Sequence, residues 1–234
     1  MRKIFYTLAL SIGYIMLFAQ PQNSLSLAER RDGWQLLFDG KSLQGWRPYK
    51  NKEADSWGVA QGMLYCKGSD TDKSDLRADL VTEETYSDFE LSLEWKLSPQ
   101  GNSGIMYHVS EKYSAAYLSG PEYQIIDDNN FPNPLEAWQK TAADYAMYTP
   151  QNVNLKPIGE FNQTRIVVKG PHREYWLNGT KVLEFEAWSP DWNQRKKSGK
   201  WKDTPSYGME KSGHICLQDH GSGIWFKNIK IRKL

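Results

Sequence analysis

The segment "DFELSLEWKLS" (88–98) alternates apolar and polar residues almost without a break. Successive side chains of a β-strand point to opposite faces, so this two-residue period predicts a strand with one buried face. Similar short runs recur along the chain with turn residues between them, and helical periodicity is almost absent. One run contains Asn178-Gly179, the strongest short-range signal for a β-hairpin. Many short strands of this kind predict an all-β fold, a β-sandwich or jelly roll.

Two long segments interrupt the predicted strands. The first spans residues 129–157 and contains four prolines, and the second spans residues 189–207. Long irregular segments inside a compact domain are usually functional or mobile. Tyr145 lies on the first segment and Lys200 on the second. We therefore expect both segments to be irregular loops that close over a ligand.

The first twenty residues have the layout of a secretory signal. Arg2 and Lys3 precede an apolar run from residue 4 to residue 19. That run is shorter than the ~20 apolar residues of a typical membrane-spanning helix. The pattern predicts a signal peptide over residues 1–20 and a periplasmic or otherwise exported protein. A retained membrane anchor is the alternative.

The remainder has the length of about one β-sandwich domain and carries little net charge. The whole chain has a formal net charge of +1, so no basic field indicates nucleic-acid binding. No second membrane segment follows the first, and the oligomeric state is left open. Cys66 and Cys216 are the two cysteines. In an exported chain they form either a disulfide or a buried pair of free thiols, and both alternatives stay open.

The chain is rich in large aromatic residues, with ten Trp and thirteen Tyr. Such side chains hold sugar rings when they line a groove, and they also fill β-sandwich cores. The polar positions of the predicted strands also indicate a carbohydrate site, because they carry acids, amides, imidazoles and a tryptophan. These residues are Glu94, Lys96, His108, Glu122, Gln124, Trp176, Gln218 and His220. We predict that they converge on one concave sheet face as a carbohydrate site; solvated strand positions are the alternative for any one of them.

Five ordered motifs resemble one protein family. They are "LLFDGKSLQGWR" (36–47), "LEWKLSPQGNSGIMYHV" (93–109), "GPEYQIIDD" (120–128), "RIVVKGPHREYWLNGTKVLEFE" (165–186) and "GHICLQDHGSGIWFKNIKIR" (213–232). The family was once a domain of unknown function and is now described as 3-keto-disaccharide hydrolase, or 3-keto-glucoside 1,2-lyase and 3-keto-2-hydroxyglucal hydratase. The resemblance covers residues 33–234 as a single domain. It implies a concanavalin-like jelly roll, export and action on oxidised sugars. The segment "TAADYAMYTP" (141–150) departs from the family's usual apolar pattern around Tyr145.

A 3-keto sugar can be cleaved by elimination, because the ketone acidifies the hydrogen on C2. A base removes that proton, the C1 substituent leaves, and water adds to the enone, so that the sum is hydrolysis. The reaction needs a base, an acid for the leaving group and a group that stabilises the enolate oxygen. Glu122 and His220 are the candidates for base and acid, in either order. Lys96 or a bound divalent cation is the candidate for the enolate.

The remaining candidate residues bind substrate or metal. If a metal is used, His108, Glu122 and His220 are the candidate ligands, although no compact spacing such as HExxH is present. The substrate-binding candidates are Glu94, Asn102, His108, Gln124, Tyr145, Trp176, Lys200 and Gln218.

Two other functions are compatible with the same fold. A non-catalytic carbohydrate-binding module needs the aromatic residues but not an acid–base pair such as Glu122 with His220. An ordinary endoglycosidase predicts two nearby carboxylates in a compact strand motif such as ExDxxE, which this sequence does not contain. The sequence therefore favours an enzyme that cleaves 3-keto-glycosides, with the binding module as the alternative.

Overall fold

The protein is an antiparallel β-sandwich with a few short helices. The computed structural model describes residues 20–69 and 76–234, so the predicted signal peptide lies outside the described residues except for Gln20. The strands are β1 (Gln35–Leu36), β2 (Trp46–Pro48), β3 (Trp57–Ala60), β4 (Met63–Cys66), β5 (Leu80–Thr82), β6 (Phe89–Leu97), β7 (Asn102–Val109), β8 (Glu122–Ile126), β9 (Asn162–Lys169), β10 (His172–Leu177), β11 (Thr180–Glu186), β12 (His214–Leu217) and β13 (Ile224–Lys233). The helices are α1 (Leu27–Arg31) and α2 (Pro190–Ser198).

The strands form two sheets that pack face to face. The large sheet has the order β11-β10-β9-β6-β13-β4-β3, and β1 also pairs with β13. The small sheet has the order β2-β5-β12-β7-β8. Sequence-adjacent hairpins alternate with neighbours that are far apart in sequence, such as β6 with β13 and β5 with β12, as in a jelly roll. The predicted all-β, concanavalin-like jelly-roll sandwich is confirmed.

The core fills the space between the two sheets. Leu91, Leu93 and Trp95 of β6 are buried there, as the alternation of that segment predicts. Ile105 of β7 and Tyr123 of β8 belong to the same cluster from the small sheet. The residues that alternate with them therefore point away from the core, toward the outer faces of the two sheets.

The hairpin predicted at Asn178-Gly179 joins β10 to β11. Both turn residues have positive φ, 48° for Asn178 and 82° for Gly179, as a type I′ turn requires. Strands β3 and β4 form a second hairpin, with Gly62 in its turn.

The two long segments differ from each other in structure. Residues 129–157 are irregular except for a short 3₁₀ turn at Ala137–Gln139. For residues 189–207 the prediction of an irregular loop is wrong, because α2 lies there. The side chain of Ser189 caps the helix by accepting the N–H of Trp192 at 3.2 Å, and Pro190 occupies its first turn. Ser followed by Pro is a helix-start signal that the strand pattern of the chain obscured.

The N-terminal part of the described chain lies on the outer face of the large sheet. Asn23 and Asn228 exchange hydrogen bonds, each backbone N–H donating to the other side chain, at 2.6 and 2.8 Å. Glu29 of α1 forms an ion pair with Lys230 of β13. This segment is therefore attached to the sandwich directly after the predicted cleavage position.

Two further expectations concern the cysteines and the membrane. Cys66 and Cys216 are both buried and both free thiols, so the alternative of a buried free pair is found. In the described part of the chain, neither helix has the length and apolar character needed to cross a bilayer.

Candidate active site

A cavity of about 300 Å³ opens on the outer face of the small sheet. Its floor is made by polar residues that alternate with core residues on β7, β8 and the end of β12. Strands β7 and β8 and the long segments contribute most of the lining, and we call this the small-sheet cavity. The lining residues are Asp79, Asn102, Tyr117, Glu122, Gln124, Tyr145, Lys200, Trp201, Gln218, Asp219 and His220.

Glu122 can occupy the floor of the cavity because the residue beside it on β7, Gly104, has no side chain. A methyl group at Gly104 would lie 2.8 Å from the Cγ and 2.9 Å from the Cδ of Glu122. In the register of the two strands, Gly104 pairs with Gln124, one pleat away from Glu122. The glycine therefore gives the carboxyl group the space that it occupies.

Glu122 is only 5% exposed to solvent, and this burial disfavours its ionised form. Burial, with a smaller contribution from the negative charge of Asp79, raises the pKa of Glu122 to about 8. The charge of Lys200 and a hydrogen bond from Gln218 oppose that shift. Glu122 is therefore mostly protonated at neutral pH and can donate a proton.

Lys200 and two aromatic residues form one wall of the small-sheet cavity. The Nζ atom of Lys200 lies 4.1 Å from the centre of the Tyr145 ring and 5.1 Å from that of Trp201. Both distances are within the range of cation–π contacts. Lys200 is thus held as a positive charge within the cavity that contains Glu122.

This wall is attached to the floor and to a buried carboxyl group behind it. The N–H of Tyr145 donates to the Glu122 carbonyl at 3.0 Å, and the Trp201 indole donates to the Tyr145 carbonyl at 3.1 Å. The Trp201 ring stacks on Tyr207 with centroids 4.0 Å apart, and the Tyr207 hydroxyl donates to Asp144 at 3.4 Å. These contacts fix the wall to strand β8.

Two aspartates close the opposite side of the cavity. Asp219 forms an ion pair with Arg77, with Nη2 2.8 Å from Oδ1. The backbone N–H of Asp219 donates to Oδ1 of Asp79 at 2.9 Å. Burial raises the pKa of Asp79 to about 6, so that this carboxyl is largely ionised at neutral pH.

Three side-chain amides present buried oxygen atoms without a partner in the described part of the chain. These are Oδ1 of Asn102, Oε1 of Gln124 and Oε1 of Gln218. A buried acceptor without a hydrogen bond is costly, and such atoms are commonly satisfied by a ligand or by water. A ligand with several hydroxyl donors fits this set.

Residues 33–232 match a family described as the 3-keto-alpha-glucoside-1,2-lyase-like domain. The chain belongs to this family. The resemblance seen in the five sequence motifs is thereby confirmed, and the small-sheet cavity is the candidate active site of this lyase-like domain.

Individual relatives agree with the family. A 3-keto-disaccharide hydrolase of Bacteroides thetaiotaomicron is 31% identical over 242 residues, which cover 92% of this chain and 83% of the relative. A candidate glycosyl hydrolase of Parabacteroides distasonis has a solved structure that aligns with a TM-score of 0.85 and 41% identity, over 92% of this chain and 100% of that chain. A carbohydrate-binding module from Bacillus subtilis, at 11% identity and a TM-score of 0.50 over 81% of this chain and 96% of that chain, shares the fold alone.

The small-sheet cavity brings together most of the predicted site residues of this lyase-like domain. The predicted residues that line it are Asn102, Glu122, Gln124, Tyr145, Lys200, Gln218 and His220. Sequence reasoning missed Asp79, Tyr117, Trp201 and Asp219. Asp219 stands between two predicted residues, Gln218 and His220, and could have been found from them. The others lie outside the strands with a clear alternating pattern.

The predicted convergence is wrong for Glu94 and Lys96, which lie on the outer face of the large sheet. Glu94 accepts a hydrogen bond from Asn228 at 2.6 Å and lies 3.4 Å from the Nζ of Lys227. The Nζ of Lys96 lies 4.8 Å from the centre of the Trp225 ring. Both residues alternate with core residues as predicted, but β6 belongs to the other sheet.

Trp176 is also outside the cavity, on β10 of the large sheet. Its ring is covered by the guanidinium of Arg165, which lies 3.8 Å from the ring centre. Its indole N–H donates to Glu174 at 2.8 Å. Trp176 therefore packs against charged neighbours of its own sheet.

His108 is buried away from the small-sheet cavity, so its predicted place in the site is wrong. Its φ of 52° coincides with a register shift between β7 and β12, and this breaks the alternation of the strand. The ring packs against Phe89 and Tyr107, and Nε2 lies 2.7 Å from the carbonyl oxygen of Ser87. Burial lowers the pKa of His108 to about 4, so it is a neutral core residue.

The position of His108 also changes the predicted metal site. Because His108 is buried away from the cavity, it cannot bind the same metal ion as Glu122 and His220. Among the described residues, one set of three side chains brings its ligand atoms within 4.8 Å of one another: His172, Glu174 and Glu184. These lie on β10 and β11, and Lys181 already forms ion pairs with both glutamates. A divalent cation at Glu122 and His220 stays a prediction.

Proposed function

We propose that this protein is an exported enzyme that cleaves 3-keto-glycosides. The C1 substituent is eliminated across C1 and C2, and water then adds to the enone, so that the sum is hydrolysis. The observation that carries the proposal is Glu122, a carboxyl group buried beside Lys200 in the small-sheet cavity. Family membership and the hydrolase name of the Bacteroides relative support the substrate class.

Glu122 is suited to protonate the leaving group. A general acid works best when its pKa lies near the working pH, and burial raises the pKa of Glu122 to about 8. It therefore carries a proton that it can give to the oxygen leaving C1. His220, the other member of the acid–base pair predicted from the sequence, lies at the exposed rim of the same cavity.

Lys200 takes the role that the sequence assigned to Lys96. Removal of the C2 proton places negative charge on the ketone oxygen, and a fixed cation stabilises that charge. Among the described residues that line the cavity, Lys200 is the one lysine or arginine and so provides the fixed cation. Lys96 lies on the other sheet and cannot reach the same substrate.

The amides of the floor are suited to hold the sugar. Oxygen atoms of Asn102, Gln124 and Gln218 accept hydrogen bonds, and sugar hydroxyls donate them. Tyr145 and Trp201 add apolar ring surface at the wall. A neutral sugar ring satisfies both kinds of surface.

A non-catalytic carbohydrate-binding module remains the alternative function. It would use the same amides and aromatic rings, since the fold hosts both classes of protein. It has no use for a carboxyl group whose pKa is strongly perturbed by burial, whereas proton-transfer sites require one. The position of Glu122 therefore favours the enzyme.

Cleavage of oxidised sugars tests the proposed function directly. We expect the protein to release the C1 substituent from 3-keto-trehalose or 3-keto-lactose and to leave unoxidised trehalose and lactose intact. Product release is followed by chromatography, with and without EDTA to test for a divalent cation. Binding of all four sugars without cleavage of any would support the binding module instead.

Export is proposed from the N-terminal sequence and is tested separately. The protein is expressed in a bacterial host, and the periplasmic fraction is analysed by N-terminal sequencing. We expect a mature chain that begins near Gln20, just before the contacts of Asn23 with the large sheet. An intact N-terminus in the membrane fraction would support the retained anchor.

Substitution of Lys200 tests the assignment of the enolate-stabilising cation. Lys200→Met removes the charge but keeps an unbranched side chain, and we expect kcat to fall by about 10²-fold or more. Lys96→Met is the matched control, because it removes the same charge from the large sheet and leaves kcat unchanged. Equal rates for the Lys200→Met variant and the wild type would remove Lys200 from the mechanism.

A further inference from the structure

Asp79 is the carboxyl group of the small-sheet cavity that the reaction scheme has not yet used. It directly precedes β5, and its backbone carbonyl accepts the N–H of Tyr49 at 2.8 Å. Its Oδ1 accepts the backbone N–H of Asp219 at 2.9 Å. Main-chain groups therefore hold both its backbone and its carboxylate in place, while the side chain lines the cavity.

The surroundings of Asp79 keep it in a different protonation state from Glu122. Burial raises the pKa of Asp79 to about 6, while the Asp219 N–H and the charge of Lys52 favour its ionised form. The same kind of burial raises the pKa of Glu122 to about 8. Two carboxyl groups of one cavity whose pKa values are pushed apart are suited to act as a base and an acid.

His220 is less suited to be the base. It lies at the exposed rim of the cavity, and its imidazole makes no hydrogen bond to any residue in the described ranges. Abstraction of a carbon-bound proton depends on a base that is oriented toward the substrate. Asp79 is oriented by its neighbours, whereas His220 has no such partner among residues 20–69 and 76–234.

We propose that Asp79, and not His220, is the catalytic base that removes the C2 proton, with Glu122 as the acid at C1. This assignment rests on the proposed function and adds a catalytic residue to it. Asp79 then acts at C2, and Glu122 acts at C1.

The steps balance without any further reactant except water. In the elimination, the C2–H bond breaks, its proton passes to the Asp79 carboxylate, and its electrons form the enolate. The enolate then forms the C1–C2 double bond, the C1–O bond breaks, and the leaving oxygen takes the proton of Glu122. In the hydration, water adds to C1 and gives a proton to Glu122, while Asp79 returns its proton to C2.

Hydrogen exchange at C2 separates the two roles. The full-length mature protein and its variants are incubated with 3-keto-trehalose in D₂O, and loss of the C2–H signal is followed by proton NMR against an enzyme-free control. For Asp79→Asn we expect both exchange and cleavage to fall by about 10²–10⁴-fold. Asparagine is nearly isosteric and can still accept the Asp219 N–H, so the fold is retained.

Glu122→Gln is expected to behave differently in the same experiment. It keeps the base, so C2–H exchange continues although cleavage of 3-keto-trehalose is lost. The Glu122→Gln variant should still cleave a 3-keto-glucoside with a 4-nitrophenyl leaving group, because that group departs without protonation. The Asp79→Asn variant should not cleave it. His220→Gln should keep C2–H exchange.

Chemical rescue tests the same role with a second variant. Asp79 lines the small-sheet cavity and a neighbouring cavity of about 190 Å³, so loss of its side chain leaves space there for a small carboxylate. Asp79→Ala should therefore regain C2–H exchange when formate is added, which a purely structural role of Asp79 does not predict.

The outcomes distinguish this assignment from the proposed function. Wild-type exchange in both Asp79 variants, or loss of exchange in His220→Gln alone, would overturn the role of Asp79 and leave the proposed function standing. A wild-type protein that neither cleaves the 3-keto substrates nor exchanges the C2 proton would overturn both.

Discussion

The Glu122→Gln variant is expected to lose about 10²–10⁴-fold in kcat on 3-keto-disaccharides while it gains thermal stability near neutral pH. Glutamine has nearly the same shape as glutamate and can still form hydrogen bonds to a sugar. It cannot give a proton to the leaving oxygen. We therefore expect kcat to fall while the dissociation constant of an unoxidised sugar stays unchanged. Both quantities are measured on the variant and on the wild type.

The gain in stability follows from the pKa of Glu122. Burial raises its pKa from about 4.5 to about 8, so the folded protein binds this proton more tightly than the unfolded chain does. The resulting stabilisation is fully present below pH 4.5 and is lost as the pH rises toward 8. Glutamine does not titrate, so the variant should exceed the wild type by roughly 1–3 kcal/mol in free energy of unfolding near pH 8.

Glu94→Gln is the matched control for this prediction. Glu94 is also on a strand, but it lies on the outer face of the large sheet, beside Lys227. Its substitution should leave kcat unchanged and should produce no stabilisation that grows with pH. A Glu122→Gln variant with wild-type turnover, or with a Tm difference that does not depend on pH, would contradict the role assigned to the buried carboxyl.

The Gly104→Ala variant is expected to lose activity although it changes no polar group. The new methyl group would lie 2.8 Å from the Cγ of Glu122, which is too close for two carbon atoms. Overpacking of this kind costs about 1–3 kcal/mol, and a shift of about 1 Å in a catalytic group costs about 10²-fold in rate. The variant should therefore show a lower Tm and a lower kcat, measured by thermal unfolding and by the cleavage assay.

A double-mutant cycle with Glu122→Ala shows whether the clash is the cause. When the glutamate side chain is absent, the methyl group has room, so Gly104→Ala should cost less stability in that background. A coupling energy of about 1 kcal/mol or more is expected for side chains in direct contact. Free energies that simply add would mean that Gly104 acts through something other than Glu122.

The sequence predicted the strands well because the two-residue period is a local property. The same period could not tell which sheet a strand joins. Glu94 on β6 and Glu122 on β8 both alternate with core residues, yet they lie on opposite outer faces of the sandwich. Sheet membership depends on pairing between strands that are distant in sequence, and a local two-residue period does not reveal that pairing.

Other errors came from single residues. His108 sits where a left-handed backbone conformation breaks the alternation, and one histidine in a strand pattern is too weak a signal to predict that conformation. Asp79 precedes a strand of three residues, too short to show a period, so its place in the cavity was not visible. Ser189-Pro190, in contrast, carried a readable helix-start signal.

The hydrogen bond from the Trp201 indole to the Tyr145 carbonyl joins the two long segments into one wall. Glu122 lies instead on a strand within the sheet. The proposed proton donor thus belongs to a sheet strand, whereas the wall, with Lys200, belongs to the two long segments. Substitutions in the joined segments that spare Lys200 can therefore reshape the wall of the cavity without replacing Glu122 or its strand.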